Sequence, residues 1–185
     1  MNETLSIIKN RRSIRNFKQE QIKASELEAV LEAGMYAPSS GGHQLWHFTV
    51  VQNKTVIDQI SEAIKAVYRE MPIPFLQKIG KERPHLFYNA PSLIVVSGDQ
   101  SSLSPDIDCA LAAENIMIAA ESIEIGSCLV SGFPQLLTTE SGRETVKALN
   151  LPEGYKPIYS IALGYKASEN PKAAPRKENV VNKII

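Results

Sequence analysis

Two cysteines in 185 residues, Cys109 and Cys128, are too few and too far apart for a zinc ribbon, and no Cys-x-x-Cys pair offers a redox motif. They read as small buried hydrophobes. Net charge is also lacking: 20 Lys plus Arg balance 20 Asp plus Glu, which removes the domain-wide basic field that drives salt-sensitive binding to nucleic acid. No run of about 18 apolar residues is present to span a bilayer. The opening MNETLSIIKNRR carries its acid before a short apolar run and its bases after it, the wrong order for a secretory signal. The expectation is a cytoplasmic protein.

Several catalytic signatures are missing as well. Gly41-Gly42 lacks the G-x-G-x-x-G spacing and precedes a strand instead of following one, and there is no phosphate loop of the Walker type. Ser39-Ser40 stands outside any G-x-S-x-G elbow, so a hydrolase nucleophile is disfavoured. His43 and His47 straddle a loop-to-strand junction without a neighbouring carboxylate, which disfavours a metal.

What is present is 43% apolar residues, enough for one substantial core. Ser25-Glu26-Leu27-Glu28 has the form of a capping box, and the spacing predicts a helix over 25–36 that stops at Pro38. A strand is expected over 46–51 and an amphipathic helix from Val56 to Tyr68. Residues 72–91, with four prolines, read as irregular with at most a helical turn. Leu93–Val96 is an unbroken apolar run, as in a strand covered on both faces. An unusually apolar helix follows over 106–125, with Gly126 placed as its C-terminal cap. Then come a strand over 127–131, a turn at GFPQ, a helix over 138–149 and a strand over 158–165. The small face of that last strand, Ser160, Ala162 and Gly164, calls for a flat ligand or a close neighbour. This order predicts an α+β domain and not a series of βαβ units. The final twenty residues are polar and proline-containing, either disordered or an arm laid on another subunit.

The densest local feature is RRSIRNF, residues 11–17, with three arginines and a serine. Its cations could simply complement the end of a helix. They could instead hold an anion, because guanidinium groups pair with phosphate and a serine hydroxyl adds a donor. With the overall charge balanced, a cofactor phosphate suits the cluster better than a nucleic-acid backbone.

Taken together, RRSIRNF, APSSGGHQLWHF, GSCLVSGF and IALGY followed by PKAAPRK resemble the FMN-dependent nitroreductase family in order and approximate spacing, over nearly the whole chain. The resemblance implies an α+β fold with a mixed central sheet flanked by helices, paired as an intertwined homodimer with FMN sites between subunits. Residues 1–165 would form the FMN-binding domain and 166–185 an extended arm on the partner subunit. It also implies roles for single residues. Arg11 and Ser13 would hold the FMN phosphate with Arg12 adjacent, Arg176 would reach it from the arm, and Arg15 would stand beside the N1 and C2 carbonyl edge of the ring. Pro38, Ser39, Ser40, Gly42 and Gln44 would come from the partner. Ser131 and Gly132 would offer backbone N–H groups to N5 and O4, and Gly164 would leave room for the cofactor.

NADH or NADPH would deliver hydride to flavin N5 and then give way to an electron-poor acceptor such as a nitroaromatic or quinone. An FMN-binding carrier or sensor without nicotinamide turnover is the alternative. The family usually has asparagine at the position of Gly42 and proline at that of Leu45, and it often carries a longer insertion over the substrate pocket.

Overall fold

The computed structural model describes residues 2–185. Helix α1 (Glu3–Asn10) begins at Asn2, whose side-chain oxygen accepts the Leu5 N–H at 2.9 Å. Glu3 in its first turn and Lys9 in its last complement the helix dipole. Helix α2 (Ala24–Met35) is capped by Lys23 and not by Ser25, because the Glu26 carboxylate reaches back to the Lys23 N–H at 2.9 Å. Glu26 also accepts the Tyr165 hydroxyl at 2.6 Å, which ties the start of α2 to the end of the last strand.

Strand β1 (Trp46–Val51) leads to α3 (Lys54–Glu70), capped by Asn53. The proline-rich stretch expected to be irregular contains a regular helix, α4 (Pro74–Glu82). Pro74 sits in its first turn, where the missing N–H has no helical partner to lose, so this proline starts a helix and does not break one.

After β2 (Ser92–Asp99) comes α5 (Pro105–Ser122), which ends earlier than its apolar pattern suggests. Glu124, at φ +62°, takes the left-handed position assigned from the sequence to Gly126. Gly126 lies instead in β3 (Ile125–Val130), where a Cβ would come within 2.9 Å of Ile14 Cγ2. GFPQ contributes most of a one-turn helix, α6 (Phe133–Leu136), followed by α7 (Glu140–Lys147) and β4 (Tyr155–Tyr165).

The sheet runs β1-β2-β4-β3 with every neighbouring pair antiparallel. A parallel bridge from Ser13 to Ser127 and an antiparallel one from Phe17 to Lys166 lay residues 13–17 along its open side. The Ile14 N–H donates to Ser127 O and the Lys18 N–H to Tyr165 O, both at 2.9 Å.

Two cores fill the two faces. Leu93 and Val95 pack with Ile57, Ile60, Ile64 and Phe133 on the α3 side, while Ile94 and Val96 pack with Val30, Ala113 and Ile116 on the α2/α5 side. Strand β2 is therefore covered on both faces, as its unbroken apolar run predicts. Helix α5 buries Cys109, Ala112, Ile116 and Ala120, yet Ile107 remains 61% and Leu111 39% exposed on its outer face. Both cysteines are free and buried. Beyond Tyr165 the chain is held by Lys166 to Glu121 at 2.9 Å and by Asn170 to Glu121 at 2.8 Å, and from residue 171 onward it is exposed. No helix among the described residues is long and apolar enough to cross a membrane.

Candidate functional site

The segment that follows α1 makes two isolated bridges, from Ser13 to Ser127 and from Phe17 to Lys166. Ile14 and Phe17 enter the α3-side core at 3% and 5% exposure. Arg11, Ser13 and Arg15 stay outside that core. Burial pushes the nearby Cys128 thiol up, and Arg15, Ser13, Arg83 and Arg11 offset only part of that rise. Arg15 Nε and Arg83 Nη1 donate to one shared acceptor, the Tyr88 hydroxyl, each at 3.2 Å. Both guanidiniums also lie over the Tyr88 ring, 5.7 and 5.5 Å from its centre. The hydrogen bond to Tyr88 raises the Arg15 pKa above its ordinary value. Tyr88 itself is in the left-handed region at φ +56°, a conformation that costs on the order of 1 kcal/mol for such a residue.

Among the described residues no carboxylate pairs with Arg15 or Arg83, and Arg11 meets one, Glu114 of α5, at 3.4 Å. Three guanidiniums thus face one half-exposed acid. Positive charge in excess of its partners, with a serine hydroxyl beside it, fits an anion such as a phosphate monoester.

Strand β3 carries the chain from Ser127, beside Ser13, past Cys128 to the turn at Ser131-Gly132. There the Tyr68 hydroxyl of α3 donates to Ser131 O at 3.0 Å. A Cβ on Gly132 would come within 2.9 Å of Ile64 Cγ2 and 3.2 Å of Tyr68 Oη, so α3 itself demands glycine here.

The loop of residues 38–44 lies over the start of α5. A single 3-10 turn spans Ser40–Gly42. The Ser40 N–H and hydroxyl donate to Asp108 Oδ1 at 2.9 and 3.0 Å, and Ser102 donates to Asp108 Oδ2 at 3.1 Å. The Gln44 N–H donates to Ser39 Oγ at 2.9 Å. Gly42, at φ +70°, has open space where a side chain would stand. Pro38 is exposed. No hydrogen bond or ion pair among the described residues joins this loop to the arginine group. His43 covers Gly41 and His47 meets Tyr155 edge-on at 6.0 Å.

Residues 8–165 match the profile of the nitroreductase family. The chain belongs to the nitroreductase family. A nitroreductase of Bacteroides fragilis solved with bound FMN is 35% identical and superposes with a TM-score of 0.92 over 100% of both chains. Another, from Desulfitobacterium hafniense and also with bound FMN, is 31% identical with a TM-score of 0.89 over 100% of both. An FMN reductase (NADPH) of Bacillus subtilis is 28% identical over 208 residues, covering 98% of this chain and 76% of its own.

Three of the expected site residues stand apart from the arginine group within this chain. Arg12 does not join Arg11 and Arg15: its Nη1 donates to Lys9 O and Arg11 O at 2.7 Å, and it faces a cleft of about 840 Å³ with Lys18, Glu121 and Lys166. Those two backbone carbonyls hold the guanidinium on that side. Gly164 is buried with Pro91 Cδ 2.7 Å and Phe17 Cδ1 3.3 Å from where its Cβ would be, so its close neighbours are Pro91 and Phe17 of this same chain. Ala162 is likewise within the core. Arg176 lies in the exposed tail, away from regular structure. Arg83 is the residue that sequence reasoning missed; a lone arginine after α4 carries no motif, and proximity to Tyr88 exists only in the fold.

Proposed function

We propose that this nitroreductase-family chain is an FMN-dependent NAD(P)H oxidoreductase that reduces electron-poor acceptors such as nitroaromatics or quinones. The observation that carries this reading is the group of Arg11, Arg15 and Arg83 beside Ser13, short of carboxylates in a chain similar to FMN-bound relatives. Bound FMN would supply hydride transfer at its ring. Arg11 and Ser13 hold the phosphate. Arg15, fixed by Tyr88 and reinforced by Arg83, places permanent positive charge beside the ring and favours its electron-rich form. Ser131 and Gly132 present backbone N–H groups to the ring edge; among the described residues no loop hydrogen bond uses either N–H.

The second half of each site comes from another copy. Pro38, Ser39, Ser40, Gly42 and Gln44 line the cofactor of the partner, and the arm of residues 166–185, anchored to its own α5 as far as Asn170, continues onto the partner with Arg176 reaching a phosphate. Ile107 and Leu111, exposed on α5, and Met35 and the capping Tyr36, exposed at the end of α2, are apolar surface such a homodimer would cover. Free thiols suit a reducing cytoplasm.

Purified protein loaded with FMN under argon tests the reading. Bleaching of the yellow colour by NADH or NADPH, and its return on adding a nitroaromatic or quinone, is the expected result. Colour that persists with both nicotinamides points to a carrier instead. A colourless protein that takes up no FMN overturns the proposal.

A further inference from the structure

We infer that Tyr68 is a positioning residue that sets the direction of the Gly132 N–H, and through it the electronic state of the bound flavin; this rests on the reading of the Ser131-Gly132 turn given above. Tyr68 stands in the last turns of α3 and is 5% exposed. Its hydroxyl donates to the carbonyl of Ser131 at 3.0 Å. That carbonyl and the Gly132 N–H are the two ends of one planar trans peptide unit, so they point in opposite directions. With the oxygen held toward α3, the N–H is aimed away from α3 and cannot rotate without breaking the bond.

Packing places the turn directly on α3: a Cβ at Gly132 would come within 2.9 Å of Ile64 Cγ2 and 3.2 Å of Tyr68 Oη. Burial raises the Tyr68 phenol above its ordinary pKa, so the hydroxyl remains a donor through neutral and mildly alkaline pH. A donor on the carbonyl also polarises the peptide and strengthens its N–H as a donor in turn. Aimed at the N5–O4 edge, such an N–H favours the electron-richer reduced ring.

The deciding variant is Tyr68→Phe, which keeps the ring and removes the hydroxyl. FMN stays bound, because Arg11 and Ser13 are untouched. The preference for reduced over oxidised flavin falls about 2- to 10-fold, as for the loss of one neutral hydrogen bond. That corresponds to a drop of about 10–30 mV in the two-electron potential, with a shift in the flavin absorption band.

Val67→Ala, one residue away on α3, controls for a merely structural role: it lowers stability and leaves potential and spectrum at wild-type values. Should Tyr68→Phe be too unstable to hold FMN, 3-fluorotyrosine at position 68 keeps the ring and makes the hydroxyl a stronger donor, and the potential rises. A folded Tyr68→Phe protein, or the fluorotyrosine form, with wild-type potential and spectrum overturns this inference alone. Wild-type protein that binds no FMN overturns it together with the proposed function.

Discussion

The arginine segment and the loop of residues 38–44 are both polar, both irregular and both assigned to cofactor contact, yet they satisfy their polar groups in opposite ways. In the first, Arg15 and Arg83 share one neutral phenol and Arg11 has a single half-exposed carboxylate. In the second, Ser40 spends its N–H and hydroxyl on buried Asp108, and Ser39 accepts from Gln44. Donors without acceptors mark where a ligand must arrive. Donors already engaged mark a loop whose shape is set before any ligand arrives, so it contributes form more than charge.

The largest effect should come from cutting the loop's anchor. Asp108→Ala strands the Ser40 N–H and two serine hydroxyls, and urea unfolding of FMN-free protein should show a loss of about 3 kcal/mol. Unchanged stability would mean that the loop does not depend on Asp108, and the contrast would collapse. Next in size is Arg15→Gln, which removes charge from the other region and leaves the loop intact. Loss of one charge-assisted hydrogen bond, about 1.5–3 kcal/mol in favour of the reduced ring, should lower the flavin potential by about 30–65 mV, read by dye-coupled reduction. A wild-type potential with FMN bound would remove the electrostatic role. The smallest effect is expected from Gly42→Asn. Asparagine tolerates the left-handed backbone and open space surrounds the site, so stability should change by less than about 0.5 kcal/mol. FMN affinity, followed by fluorescence quenching, should rise a few-fold as the side chain restores a polar contact.

The strands and long helices were legible because each is a period imposed by burial: Leu93–Val96 packs on both faces, and Ile57, Ile60 and Ile64 form one stripe. Proline misled where its position mattered more than its presence, since Pro74 opens α4. The cap assigned to Gly126 failed because Ile14, distant in sequence, needed that glycine's empty side. In the site, Arg11, Ser13 and Arg15 could be read from one motif and a resemblance. Arg12 could not be separated from them until its hydrogen bonds to the Lys9 and Arg11 carbonyls were known. Arg83, Tyr88, Asp108 and Tyr68 act through contacts between distant segments, and no local spacing encodes those.

The stretch from Ser13 to Phe17 has a second duty, because Ser13 bridges to Ser127 on the outer edge of β3 and the Ile14 N–H engages the Ser127 carbonyl that a terminal strand would otherwise offer to any passing chain. On the proposed reading, cofactor grip and protection from aggregation are invested in the same few residues. A molecule that lets this ribbon peel away forfeits its coenzyme and becomes adhesive in a single event, so in a failing preparation the colour and the clarity of the solution should vanish together.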